Sequence, residues 1–150
     1  MKTWRTHTRS AANRFWFNPV FTSFYDWVSP TQTLGARGER IAERLLLKRG
    51  MVVVDRGYNE KFGEIDLIAV DERTVVFVEV KTRTSNFAGA PIEAVDDAKQ
   101  KKISRVATSF IKRHGLQDCR CRLDVVAIEL ASNTSKPKIQ YFQDAFEASE

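Results

Sequence analysis

Apolar and polar positions beyond residue 33 fall into short, regular runs, and these runs predict the elements of a domain. Leu34, Ile41, Ala42, Leu45 and Leu46 recur at the spacing of a helix face, and Gly50 supplies a C-terminal stop. Residues 51–54 are apolar and mostly β-branched, which predicts a strand. Residues 65–70 and 74–82 predict two more strands, joined through the polar tip Asp71-Glu72-Arg73. A second helix follows, with Val95, Ala98, Ile103, Val106, Ala107, Phe110 and Ile111 on one face and Gly115 beyond its end. Residues 123–130 predict a fourth strand and 139–142 a fifth. The order α-β-β-β-α-β-β predicts an α/β fold with a central mixed sheet flanked by helices.

Residues 1–33 break this regularity. They mix Arg, Ser, Thr and Asn with aromatics in no sustained period, and Asn18-Pro19 and Ser29-Pro30 interrupt any helix. The segment reads as a loosely ordered, basic and aromatic N-terminal extension, with the domain proper over 34–150. Its functional reading is an arm that stacks on single-stranded nucleic acid, and its composition is also compatible with organelle targeting.

Composition narrows the class without deciding it. A chain of 150 residues suits one domain. No apolar run approaches the roughly 20 residues needed to span a bilayer, and the N-terminus lacks a secretory apolar core, so a cytoplasmic protein is expected. Cys119 and Cys121 are too close in sequence for an unstrained bridge, and His7 and His114 lie far apart, so reduced thiols are expected rather than a zinc site. The net charge is +5, but four basic residues against Asp26 place +3 on the extension and leave +2 for the domain. Such a balance suits a polyanion partner and does not demand one.

The chemistry concentrates in residues 63–83, GEIDLIAVDERTVVFVEVKTR. Along a strand side chains alternate, so Glu79 and Lys81 share a face with Phe77, while Val76, Val78 and Val80 form an apolar face that must be buried. A hairpin centred between Glu72 and Arg73 sets Val70 opposite Val75 and Asp66 opposite Glu79, with Cβ atoms about 5 Å apart. Two like charges so placed repel, and a divalent cation between them removes the conflict. Hard oxygen donors point to Mg²⁺ or Mn²⁺. Lys81 stands where it can hold or deprotonate an attacking water, or neutralise charge on a phosphate in transition. In isolation a Glu-x-Lys is usually a surface ion pair; the buried strands and converging register favour the metal site.

Asp66, Glu79 and Lys81 resemble the motif of the PD-(D/E)-x-K nucleases, which have a restriction-endonuclease-like core, with Ile65 in place of the motif's proline. The resemblance extends to GxxGExxA at 35–42, GEIDLI at 63–68, VFVEVKTR at 76–83, Lys99 with Ile103 and Ala107, RLDVV at 122–126 and DAF at 144–146. This set is similar to the YraN-like family of predicted bacterial nucleases, whose core is similar to that of archaeal Holliday-junction resolvases. The resemblance implies a metal-dependent endonuclease acting on branched or otherwise structured DNA, with DNA favoured over RNA but RNA not excluded. The analogy with the resolvases is compatible with a homodimer that nothing in the sequence fixes. The alternative is a non-catalytic nucleic-acid-binding module on the same fold. It further implies that Glu39, on the first helix, assists at the metal, with Glu43 one turn later as the fallback. Among the remaining basic residues, Lys99, Lys101, Lys102 and Arg105 are candidate phosphate contacts, and Arg122 with Asp124 is either a structural ion pair or a support for the site.

Overall fold

The computed structural model describes residues 33–84, 96–130 and 136–147. The expectations for residues 1–32 and for Val95 lie outside that range. The elements are α1 (Leu34–Lys48), β1 (Val52–Glu60), β2 (Gly63–Asp71), β3 (Thr74–Thr84), α2 (Asp97–His114), β4 (Arg120–Leu130) and β5 (Lys138–Phe142), in the expected order.

Local signals set the helix ends. Thr33 caps α1 by accepting the Ala36 N–H at 3.3 Å. Gly50 closes it in the left-handed region (φ 84), which lets the Met51 N–H return to the Leu46 carbonyl at 3.1 Å. In α2, Asp96 accepts the Lys99 N–H at 2.8 Å, and Gly115 (φ 66) lets the Leu116 N–H reach the Ile111 carbonyl. Leu34, expected on the apolar face, remains 43% exposed at the start of its helix.

The five strands form one sheet in sequence order. All neighbours are antiparallel except β3 and β4, which run parallel through the α2 crossover. The helices cover opposite faces. Ala42 and Leu46 of α1 pack on Val76, Val78, Val126 and Ile128. Ile103, Val106 and Phe110 of α2 pack on Ile68, Phe77 and Val125. Alternation along β3 thus serves both cores. Val80, expected to be buried, is only half-buried, because β2 no longer pairs with β3 at that level.

The hairpin register holds from Asp71↔Thr74 through Val70↔Val75 to Leu67↔Val78. β1 is longer than its apolar start at 51–54 suggested, continuing through Asp55, Arg56, Gly57 and Asn59. It is an edge strand, so polar side chains there meet solvent without cost, and a bulge between Val53 and Asp55 further blurs its alternation. No helix among the described residues is long and apolar enough to cross a membrane.

Candidate metal centre

The site forms where β2 and β3 diverge. Ile65 packs into the core under α2, whereas Leu67, two residues on, packs under α1. Simple alternation would put both on one face, so β2 rotates about Asp66. Gly57 of β1, with φ 59, stands across from Asp66 between the pairs Arg56↔Leu67 and Tyr58↔Ile65. A left-handed residue there accommodates the rotation, and glycine adopts that conformation without a Cβ penalty. The β2–β3 ladder ends one position short of Asp66 and Glu79, so the backbone pairing expected from the register is not formed. The Asp66 carboxylate replaces it, with Oδ2 accepting the Val80 N–H at 2.6 Å.

Glu79 is 3% exposed, deep for a carboxylate. Its Oε1 is 2.8 Å from Lys81 Nζ and 3.2 Å from Lys99 Nζ, while its Oε2 is buried with no hydrogen-bond partner. Burial first, and then the charge of Glu79, pushes the Asp66 carboxyl up to about 7. The Val80 N–H and the Lys99 ammonium pull the other way, and Glu39 adds to the rise. Glu39 is itself raised, by burial and then by the charge of Glu64. Acids from β2, β3 and α1 therefore act on one another across a single small region. Close approach of α1 makes this possible: a Cβ on Gly38 would lie 1.7 Å from Thr82 Oγ1, so only glycine lets the helix sit so near β3.

The candidate residues thus divide. Asp66, Glu79 and Lys81 come together, with Glu39 close enough to influence Asp66. Glu43, the fallback, is engaged in an ion pair with Arg56. Lys99 belongs to the site itself. Its role as a carboxylate partner was hidden in the sequence because it arises from the packing of α2 on the sheet. Lys101 and Lys102 are exposed, and the Arg105 guanidinium lies 5.0 Å from the centre of the Phe62 ring. Arg122 and Asp124 form a structural ion pair at 3.1 Å. Arg122 also reaches Asp71 at 2.9 Å, while the buried Asp124 takes the Tyr141 hydroxyl and, at 2.8 Å, the Asp144 N–H. Cys119 and Cys121 are exposed free thiols.

Among the described residues no group of three or more His, Cys, Asp or Glu side chains is gathered as a metal cage. Two converging carboxylates still suit a magnesium-like cation, which retains several waters and uses one or two protein carboxylates with substrate phosphate. The unpartnered Glu79 Oε2 beside the uncomfortable Asp66 carboxyl is the acceptor such an ion would satisfy. The donor set fits the ion.

The model of the uncharacterised protein family UPF0102 matches residues 38–128. The chain belongs to that family. Its UPF0102 relatives include a protein of Rhodococcus jostii (strain RHA1), 43% identical over 113 residues that cover 75% of this chain and 95% of the relative. Another, from Chlorobium chlorochromatii (strain CaD3), is 41% identical over 120 residues, covering 77% and 92% of the two chains. A third, from Geotalea uraniireducens (strain Rf4), is 42% identical over 116 residues, covering 77% and 91%. UPF0102 is a restriction-endonuclease-like family, and the element order found here agrees with that core. The matched segment contains Glu39, Asp66, Glu79, Lys81 and Lys99.

Proposed function

We propose that this UPF0102 protein is a Mg²⁺- or Mn²⁺-dependent nuclease that hydrolyses phosphodiester bonds of DNA in the cytoplasm, with branched DNA as its preferred substrate. The observation that carries the reading is Glu79: a buried acid with one oxygen clasped by two lysines and the other unpartnered, beside a second acid with a raised pKa. Asp66 and Glu79 would hold the metal, and Glu39 is the nearest further acid. When bound, the metal would polarise the phosphate and acidify a water.

The protein's own groups supply the rest. Asp66 must shed its proton before it can act as a ligand, and the Val80 N–H holds its Oδ2 while it does so. Glu79 fixes the Lys81 ammonium at its Oε1, leaving further N–H donors of Lys81 for the phosphate oxygens. Lys99 offers the same from α2. Cutting both strands of a junction would call for two copies of the chain.

Incubation with Mn²⁺ and a four-way junction, a duplex and a single strand tests the proposal. Cleavage is expected in the parent and absent in Asp66→Asn and Glu79→Gln. Variants that cut as well as the parent would remove the assignment. A second reading draws on the two lysines: they already neutralise Glu79 without any metal, as a non-catalytic nucleic-acid-binding module would require. That module would bind DNA with a steep salt dependence and cut with no metal.

A further inference from the structure

The face of α1 that turns away from the candidate metal centre carries a second feature. At 100° per residue, Arg37, Arg44 and Lys48 fall in one line along the helix with Arg40 beside it, roughly opposite Glu39. These four cations form one wall of an open groove of about 510 Å³ between α1 and the start of β5. Among the described residues none of their side chains is in an ion pair or hydrogen bond, although four like charges repel along the groove. Between the cations and the sheet, Ile41, Leu45 and Ile139 form an apolar floor. Ile139 is 37% exposed. β5 is the last strand of the sheet, so among the described residues its outer backbone edge has no strand beside it. An open edge of this kind is a template for another strand.

From these observations we propose that the α1–β5 groove is a docking site for an extended acidic segment of a partner protein. The segment pairs along the open edge of β5, lays alternate apolar side chains over Ile139, Ile41 and Leu45, and presents carboxylates to Arg40, Arg44 and Lys48. Charge selects an anion, and the strand edge with its apolar floor selects a polypeptide over a sugar-phosphate backbone. Among the described residues that line it there is no aromatic ring on which a base could stack. The N-terminal extension of the same chain is a poor occupant, since it carries +3. The groove uses neither Asp66 nor Glu79, so the proposal is independent of the nuclease reading.

The test uses the full chain and a fluorescein-labelled peptide of alternating glutamate and valine, followed by fluorescence anisotropy with a chelator present. Binding is expected, weakened about tenfold by the triple substitution Arg40→Gln, Arg44→Gln and Lys48→Gln. Binding is also expected to be lost when prolines replace the valines, since proline cannot pair at an edge. Amide resonances of residues 138–142 should shift as the parent peptide is added, and Ile139→Asp should suppress the shift. Three results would overturn the proposal: equal binding of the proline peptide, indifference to the triple substitution, or an oligonucleotide of the same charge that binds more tightly and is lost through the same three substitutions. The last would make the groove a nucleic-acid track.

Discussion

At the residue scale the protein turns on Asp66, whose carboxyl burial and the Glu79 charge push up to about 7. Its ordinary value is 3.8, so between these limits the folded chain holds a proton that the unfolded chain has released. Stability therefore falls as pH rises through that window, and the deficit is complete above about pH 7. Asp66→Asn removes it. In urea unfolding with a chelator, the variant should be more stable than the parent at about pH 8, and the advantage should vanish near pH 4. The same proton competes with a metal, so Mn²⁺ affinity measured by calorimetry should decline as pH falls below about 7. Lys99 opposes the rise at Asp66. Lys99→Met should move the Asp66 titration, followed by carboxyl carbon NMR, to higher pH; no movement would remove Lys99 from the site. The proximity of Asp66, Glu79 and Lys81 was legible because strand alternation and hairpin register are local rules, although a hydrogen bond from the Val80 N–H to Asp66 stands where the register set a backbone pair. Lys99 was legible as a cation of α2 but not as the partner of Glu79, which is fixed only when α2 packs on the sheet.

At the scale of elements, the hairpin was read correctly as far as Leu67↔Val78 and then departed from ideal geometry. The register rule assumes a flat, regular ladder, and β2 rotates at Asp66 opposite a left-handed glycine. The far half of β1 was missed for a related reason: an edge strand carrying Asp55, Arg56 and Asn59 shows no clean alternation. Helix ends, set by Gly50 and Gly115, were read well because a left-handed cap has a strong residue preference. The approach of α1 to β3 through Gly38 is a tertiary fact that no local pattern announces. Gly38→Ala would drive a methyl into Thr82 and should destabilise the fold by about 2 kcal/mol in denaturant unfolding. By pushing α1 outward it should also lower the raised Glu39 carboxyl, since burial is the first cause of that rise. Adding Thr82→Gly, which vacates the space, should recover part of the stability.

At the scale of the whole domain, the Asp124 network joins parts of the chain distant in sequence. Asp124 links β4 to β5 through the Tyr141 hydroxyl, and to the segment after β5 through the Asp144 N–H. Arg122 extends the network to Asp71 at the end of β2. Burial, and then the hydrogen bond to Asp124, pushes Tyr141 up to about 12. Asp124→Ala would strand Arg122 and Tyr141 without their acceptor, and a loss of roughly 3 kcal/mol is expected in denaturant unfolding. Tyr141 should then titrate at lower pH by ultraviolet absorbance. A smaller loss, with no change at Tyr141, would make the network dispensable.

The parallel pairing of β3 with β4 sets an order of assembly. Asp66 and Glu79 are joined within one hairpin, whereas β4 can align with β3 only after the whole α2 crossover has been laid down. Short loops close sooner than long ones. The two acids therefore meet while Lys99 is still in an unfolded stretch, and the nascent hairpin bears their repulsion with Lys81 beside Glu79 but without the second ammonium. Asp66→Asn should accordingly refold faster than the parent in stopped flow at about pH 8, and added salt should narrow the difference.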